Sequence, residues 1–519
     1  MQSTLSHTFA QVPSADIQRS VFNRSHGCKT TFDSGYLVPI FLDEALPGDT
    51  FNLRMSAFAR LATPLKPVMD NMFLDSFFFA VPYRLVWDNW QRFNGEQLNP
   101  GDSTDYVVPQ MVSDAVSGHL NGSLSDYFGI PTDVPSLSHS SLFHRAYNLI
   151  YNDWFRDENL QESVVVDTDD GPDSPADYIL LRRGKRHDYF TSCLPWTQKG
   201  PSVDIPLGST APIHGTGGQT SVYNGADPTL SGLRLTTAKN VESLTAPLGT
   251  GYLMFGSTVG LETDLSLATA STINQLREAF QIQRLYERDA RGGTRYIEII
   301  RSHFGVVSPD ARLQRPEYLG GGSTTINISP IAQTSSTDAT TPQGNLAAMA
   351  TAGISGHGFV KSFTEHCLIL GFVNVRADMT YQQGLNRMFS RSTRFDFYWP
   401  ALAHLGEQSV LNKEIYAQGT AADDDVFGYQ ERYAEYRYKP SIVTGQFRSN
   451  YAQSLDVWHL GLDFGSLPAL NASFITENPP IDRIIATPSE PQVLLDTYFD
   501  FKSVRPMPTY SVPGMIDHF

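Results

Sequence analysis

The run Arg182, Arg183, Lys185 and Arg186 is the part of the sequence best suited to hold an anion. Guanidinium and ammonium groups bind phosphate oxygens, so these residues are candidate contacts to a phosphate-bearing ligand or to a neighbouring subunit. The alternative is that they pair with carboxylates of this chain or form bidentate bridges to carboxylates of another subunit. We favour this alternative, because bidentate arginine pairing is common at protein interfaces.

A second basic group falls on one face of a predicted helix and consists of Arg277, Arg284, Arg288 and Arg291. These side chains could also grip phosphate or contact another subunit. Carboxylates close to them in the sequence offer ion pairs instead, namely Glu278, Glu287 and Asp289. As for the first run, we favour pairing.

No spacing in the sequence is typical of a catalytic or metal site. HExxH, which sets two zinc ligands on one helix face, and the GxSxG turn of hydrolases are both missing. The segment 353–362 resembles a phosphate loop, but Lys361 does not follow a glycine at the required spacing. The acidic runs 423–425 and 167–170 lack the spaced ligands of a calcium loop. We predict a protein that is not an enzyme, with no catalytic residue, cofactor or bound metal.

Four aromatic residues precede Pro400: Phe395, Phe397, Tyr398 and Trp399. Such rings could stack on nucleic-acid bases. We favour a place for them in an interface or in the core, because large aromatic side chains dominate both.

The totals describe an acidic globular chain of 519 residues with a formal charge of −16 and a pI of about 5.2. The chain as a whole repels nucleic acid, so any contact with it must be local. Its three cysteines form no CxxC, which favours free thiols in a reducing compartment. We expect no signal peptide, and no membrane insertion, because the most apolar run, 77–87, is interrupted by Pro82 and Arg84.

Strand patterns dominate both ends of the chain. From Thr50 to Ser56 apolar and polar residues alternate, which is typical of a half-buried strand. The turn Leu46 to Asp49 precedes it, and we expect the apolar segment 36–41 to pair with it across this turn. Phe77 to Val81 is a further predicted strand, and Cys367 to Val375 is apolar on both faces.

Two helices and two loop insertions are predicted between the strand-rich ends. The helices are Leu142 to Asn159 and a second one from Thr272, with Gln275 in capping-box position, to Arg291. The segments 200–261 and 320–360 are rich in small residues and poor in charge, so we interpret both as surface insertions that pack on a neighbouring subunit. The alternative is that they are mobile loops.

The sequence resembles the major capsid proteins of the Microviridae, in particular the gokushovirus type, nearly from end to end. The resemblance is carried by the strings at 29–39, 46–51, 67–71, 82–90, 154–161, 183–193, 286–296, 308–318, 394–400, 427–433 and 510–519. These strings are long and idiosyncratic, so chance agreement is excluded.

The resemblance implies an eight-stranded antiparallel jelly roll, a mainly β fold, with large helix-containing insertions. It divides the chain into an N-terminal arm (1–30), first strands (31–90), insertions (91–356), remaining strands (357–500) and a C-terminal arm (501–519). It also implies that copies assemble through pentamers into a T=1 shell around circular single-stranded DNA, which makes the basic residues above candidate DNA contacts. Changing the four residues of the first run to Ala should then harm packaging or assembly and leave the fold intact.

The family also implies the remaining partners and locations. A small basic virion protein neutralises much of the DNA, and assembly takes place in the host bacterial cytoplasm. A protrusion at the three-fold axes meets a host cell-surface receptor, and the segment 200–261 matches it by position and composition. Its candidate contact residues are Ile213, Tyr223, Leu253, Met254 and Phe255.

Two other classes of function are compatible with the residues alone. A β-sandwich lectin or glycoside hydrolase would carry paired carboxylates across a cleft, although no pair stands out in the sequence. A scaffolding adaptor would share the fold and lack the ability to form shells. Electron microscopy separates these classes, because only a coat protein gives pentamers or shells.

Overall fold

The structure is a computed structural model that describes residues 17–204, 213–215, 221–224, 227–234, 253–255, 261–263, 273–339 and 342–510. The chain divides into two compact units. The first unit runs to Thr197 and resumes at Gly292, and the second unit is Gln198–Arg291.

The described elements are mostly strands. The strands are β1 (Ser20–Asn23), β2 (His26–Phe32), β3 (Val38–Ala45), β4 (Thr50–Leu61), β5 (Met72–Pro82), β6 (Gln110–Val112), β7 (Ser138–Ser140), β8 (Ile213–Gly215), β9 (Ser221–Asn224), β10 (Asp227–Arg234), β11 (Leu253–Phe255), β12 (Leu261–Thr263), β13 (Glu317–Thr325), β14 (Asn327–Ala332), β15 (Leu346–Ser362), β16 (Cys367–Ala377), β17 (Glu407–Leu411), β18 (Val426–Glu431) and β19 (Val493–Arg505). The helices are α1 (Trp90–Phe93), α2 (Leu124–Tyr127), α3 (Leu142–Ile150), α4 (Ile273–Gly292), α5 (Tyr296–Ile299), α6 (Asn412–Ile415) and α7 (Ala472–Ile475).

Two antiparallel sheets form the core of the first unit. In the first sheet the order is β1-β19-β4-β15-β14, and β2 also pairs with β19. In the second sheet the order is β13-β5-β16-β3. The successive strands β2, β3, β4 and β5 alternate between the sheets, as in a jelly roll. The predicted fold class, a mainly β sandwich with helical insertions, is confirmed.

Alternation in β4 places one face of the first sheet in the core. Phe51, Leu53 and Met55 are buried, whereas the residues between them are exposed, so this predicted strand is confirmed. Its neighbour β19 alternates in the same way and contributes Phe501, whose ring lies 5.0 Å from that of Phe51. Phe41 of the second sheet packs edge-on against Phe501 at 5.4 Å, which joins the two sheets.

The expected pairing across the turn Leu46 to Asp49 is wrong. The turn is present, and the Asp49 carboxylate accepts a hydrogen bond from the Leu46 amide at 2.9 Å. However, β3 pairs with β16 and β4 pairs with β15 and β19, so the turn carries the chain from one sheet to the other. Apolar alternation reports that a strand is half buried and does not report its partner.

The two central strands of the second sheet, β5 and β16, are buried on both faces. On β16, the side chains of Ile369 and Val373 face the sandwich core, and those of Leu370 and Phe372 face the insertion that follows β5. Within that insertion, α3 sets Tyr147 against Phe372, with ring centroids 5.7 Å apart. The continuous apolar run Cys367 to Val375 is therefore explained, because each face needs its own apolar cover.

The interpretation of 320–360 as a surface insertion is wrong. This segment holds most of β13 and β15, which belong to the two sheets, together with β14. Its glycines permit close approach of backbones, since a Cβ on Gly320 would collide with the carbonyl oxygen of Gly358. A low charge and many glycines are compatible both with a surface loop and with a strand whose backbone lies close to its neighbour, so composition alone does not separate the two.

Both predicted helices are present with different ends. The first, α3, ends at Ile150, and a π-turn over Tyr151–Phe155 continues it, so it stops short of Asn159. The second, α4, begins at Ile273, and the predicted cap at Thr272 lies outside the described residues. In the part of the chain that the structure describes, no helix is long and apolar enough to cross a membrane.

Two strand glycines test how tightly the sandwich is packed. A Cβ on Gly371 of β16 would lie 2.7 Å from the ring of Phe78, whereas one on Gly353 of β15 would meet nothing within 4 Å. Gly371→Ala should therefore lower the free energy of unfolding by about 1–3 kcal/mol. Gly353→Ala should change it by less than about 1 kcal/mol. Urea unfolding measures both, and equal effects would contradict this packing.

Candidate functional site

The basic segment 182–186 is held between two other segments. The Arg183 amide donates to the Gly35 carbonyl at 2.8 Å, and the Lys185 amide donates to the Ile475 carbonyl at 2.7 Å. The segment thus forms short β-bridges on both sides and lies beside the second sheet.

Arg183 belongs to a charge cluster on the outer face of the second sheet. It lies 2.8 Å from the carboxylate of Asp75 on β5, and Arg376 of β16 reaches the same oxygen at 2.8 Å. Asp75 is only 2% exposed. Two guanidinium groups therefore neutralise one buried carboxylate, as burial of a charge requires.

Lys185 and Glu477 complete the charge cluster, which we define as Asp75, Arg183, Lys185, Arg376 and Glu477. Burial lowers the pKa of Lys185, and its ammonium lies 4.5 Å from the centre of the Phe474 ring. Burial also raises the pKa of Glu477 to about 7, because desolvation outweighs the nearby cations.

The other two basic residues of the segment also have partners within the chain. Arg182 donates to the side chain of Asn478 at 2.7 Å and lies over the ring of Tyr36. Arg186 pairs with Asp378 at 2.9 Å, although both side chains stay more than 40% exposed. The favoured interpretation, pairing with carboxylates, agrees with this geometry for Arg183 and Arg186.

The basic segment is therefore part of the fold. Its carboxylate partners, Asp75 and Asp378, are more than 100 residues away in sequence, so sequence inspection could not identify them. Two of the four residues, Arg183 and Arg186, form ion pairs within the first unit. Alanine at all four positions should therefore also weaken the fold, contrary to the expectation from the sequence. Contact of these residues with DNA or another subunit stays a prediction.

The arginines of the second basic group lie on α4. Arg284, Arg288 and Arg291 share one face of this helix by their spacing. On the same helix, Gln283 donates to Glu287 at 3.0 Å. These arginines belong to the second unit, whereas the segment 182–186 belongs to the first.

The structure brings together four of the five residues proposed to meet the host. Strand β11, which contains Leu253, Met254 and Phe255, pairs with β9, so that Met254 faces Tyr223 across the ladder. Ile213 lies apart on β8, which pairs with β12, and is 66% exposed. Much of the segment 200–261 lies outside the described residues.

The aromatic cluster before Pro400 is exposed. Phe395, Phe397, Tyr398 and Trp399 are between 40% and 62% accessible. The guanidinium of Arg394 lies 4.8 Å from the centre of the Trp399 ring. A place in the core is therefore wrong, and the two alternatives that need a partner, an interface or base stacking, stay open.

Sequence reasoning missed a histidine cluster beside α3. His119 Nε2 lies 2.8 Å from His139 Nε2, and the ring of His139 stacks on that of His144 with centroids 5.3 Å apart. The Ser125 hydroxyl contacts His144 Nε2 at 2.9 Å. Burial, with a smaller contribution from the other two rings, lowers the pKa of His144 to about 3. The three histidines share no sequence spacing that signals a site.

A jelly-roll sandwich with long insertions is an architecture of viral coat proteins and of lectins. Comparison with known families separates these classes. A family model described as "Capsid protein (F protein)" matches residues 10–515. The chain belongs to this capsid protein family.

Curated relatives agree with this assignment over nearly their whole length. The chain is 53% identical to "Capsid protein VP1" of Bdellovibrio phage phiMH2K, with 99% of this chain and 98% of the relative covered. It is 45% identical to "Capsid protein VP1" of Chlamydia phage 1, with 99% and 98% covered, and 37% identical to that of Spiroplasma virus 4, with 98% and 97% covered. These are gokushoviruses of the Microviridae, which confirms the resemblance. The relatives are structural proteins of the virion, so this chain is a capsid component and not an enzyme.

Removing the carboxylate of Asp75 tests the charge cluster. Asp75→Asn leaves Arg183 and Arg376 without their shared partner and should lower the free energy of unfolding by about 3–5 kcal/mol. The matched control is Asp496→Asn, which breaks an ion pair with Lys29 whose side chains are 57% and 79% exposed. The control should change stability by less than about 1 kcal/mol. A similar small change for both variants would show that the cluster does not hold the segment.

Acid should destabilise the protein through His144. The unfolded chain takes up a proton near pH 6.5, whereas the folded chain does so only near pH 3, so the stabilising effect is complete above pH 6.5 and is lost as pH falls. The contribution to the pH slope is at most about 1.4 kcal/mol per pH unit. His144→Gln keeps a polar partner for Ser125 and should flatten the stability profile between pH 6.5 and 5. Parallel profiles for the variant and the parent protein would contradict this account.

Proposed function

We propose that the chain assembles through pentamers into a T=1 icosahedral shell that encloses a circular single-stranded DNA genome. The observation that carries the proposal is the family match over residues 10–515, together with relatives that are matched over nearly their whole length and whose names identify them as capsid proteins. The jelly-roll sandwich supports it, because this architecture tiles closed shells.

The acidic balance of the chain fits a shared task in holding DNA. A formal charge of −16 opposes a polyanion, so a small basic virion protein would supply much of the neutralisation. Cys193 and Cys367 are buried free thiols, and Cys28 is a half-buried one. Free thiols agree with assembly in the reducing cytoplasm of a host bacterium.

We also propose that the segment 200–261 forms a protrusion at the three-fold axes and contacts a host receptor. The support is its separation: Gln198–Arg291 is a compact unit distinct from the sandwich. A module that leaves and rejoins the first unit in this way can vary without disturbing the sandwich core. In the ladder of β11 on β9, Tyr223 and Met254 are register partners, so two of the proposed receptor residues lie at neighbouring backbone positions.

Expression of the full chain followed by electron microscopy tests the assembly proposal. Pentamers or closed shells are the expected result. Discrete monomers under conditions that assemble the related capsid proteins would contradict it.

Replacing residues 200–261 by a short Gly/Ser linker tests the proposed protrusion. We expect particles that form and fail to adsorb to the host, because Gln198–Arg291 is a compact unit of its own. Shell formation by electron microscopy and adsorption by infection assay are measured separately. Loss of soluble, folded subunits would show instead that the segment belongs to the core.

A further inference from the structure

A cleft of about 570 Å³ opens in the first unit between the segments 384–391 and 435–443. We call it the aromatic cleft. Its wall includes Phe389 from one segment and the run Tyr436 to Lys439 from the other. Its size lies within the range of sites that take small ligands or single nucleotides.

The rings of the aromatic cleft are unusually exposed. Phe389 is 70% accessible, Tyr436 50% and Tyr438 44%. Exposure of a large aromatic side chain to water costs more free energy than exposure of most other side chains. Several exposed rings around one cleft therefore indicate a surface that a partner covers. The exposed cluster 395–399 continues this surface, because Tyr398 packs edge-on against Tyr436 at 6.2 Å.

One ring is held in position before any partner arrives. The guanidinium of Arg391 lies 4.3 Å from the centre of the Tyr436 ring, and Arg391 is itself paired with Glu435 at 3.5 Å. A ring fixed in this way loses little conformational freedom when a flat group stacks on it.

Charge distinguishes the rim of the aromatic cleft from its floor. On the floor, Arg387 and Arg391 are neutralised by Glu414 and Glu435. At the rim, Lys439 and Arg448 have no carboxylate partner among the described residues.

The two stretches that supply the surface are basic in an acidic protein. Residues 385–400 and 432–450 hold seven Arg and Lys against two Asp and Glu. Glu414 and Glu431, which lie outside these stretches, pair with Arg387 and Arg437, so a net charge of +3 remains in a chain of −16. Within 436–439, rings and cations alternate as Tyr-Arg-Tyr-Lys, and all four residues are exposed. Stacking platforms beside cations are the pattern with which proteins hold single-stranded nucleic acid.

We propose that the aromatic cleft binds single-stranded DNA. Bases stack on Phe389, Tyr436 and Tyr438, and the phosphates are neutralised by Lys439 and Arg448. This assignment rests on the proposed function, in which that polyanion is the enclosed genome. A second copy of the chain fits less well, because it carries a net charge of −16 without the regular phosphate spacing, and because subunit interfaces are broad surfaces rather than narrow clefts.

Binding of a fluorescent oligo-dT to the purified full-length chain tests the proposal. The first variant is Tyr436→Leu, which should weaken binding about 5- to 150-fold, as expected for loss of stacking with one base. The second is Lys439→Gln with Arg448→Gln, which should make the logarithmic salt dependence shallower by about 1.4, since each phosphate contact contributes about 0.7.

Matched controls come from the outer face of the first sheet. Tyr498 is 55% exposed, and Lys502 lies four residues further on β19 and is also exposed. Tyr498→Leu with Lys502→Gln removes a ring and a cation away from the cleft and should change affinity less than twofold. Thermal melting of every variant shows that the fold is kept.

Each outcome decides the proposal. Loss of affinity in the cleft variants alone supports it. Unchanged DNA affinity in the cleft variants overturns it. Loss of self-association by the cleft variants in the absence of DNA, measured by sedimentation, also overturns it, because this result assigns the cleft to contact with a second copy of the chain. Cleft variants whose shells form with a reduced DNA content also support the proposal. If the parent protein forms no shell, the proposed function is wrong, and the binding measurement still tests the cleft by itself.

Discussion

The structure depends on the burial of the central strands of the second sheet, β5 and β16, on both faces. The first sheet covers only one face, so the chain between the strands must cover the other. The insertion after β5 does this with α3, and Tyr147 joins the two by packing on Phe372 and donating from its hydroxyl to the Leu37 carbonyl at 3.0 Å. Long insertions are in this sense part of the core, and the jelly roll is completed by the segments that interrupt it.

The outer face of the second sheet is divided into an apolar part and a charged part. Residues such as Phe79 and Leu370 lie under the insertion, whereas Asp75 and Arg376 lie under the segment 182–186. A buried carboxylate needs its cations close at hand, and the basic segment supplies one. The basic run that stands out in the sequence is therefore partly committed to the fold. Lys439 and Arg448, which have no carboxylate partner among the described residues, lie instead at the aromatic cleft, beside exposed aromatic rings.

Sequence reasoning identified the strands whose pattern is local. The alternation in β4 and the two-sided apolar run of β16 follow from burial of each residue and needed no knowledge of partners. Strand pairing was missed at β3 and β4, and β13 and β15 were missed because glycines that allow close backbone approach resemble loop glycines. At the candidate site, the basic residues could be named, but Asp75 and Glu477 lie too far away in sequence to be assigned to them. Exposure of Phe395 and Trp399 likewise depends on tertiary packing.

Hydrogen exchange of the full-length chain, followed by mass spectrometry, tests the central claim most directly. If burial of the central strands of the second sheet on both faces holds the molecule together, amides of β5 and β16 should exchange only on global unfolding, and those of α3 should be protected with them. The edge strand β14, which pairs on one side with β15, should exchange much faster. Exchange of β5 and β16 at the rate of β14 would contradict the account.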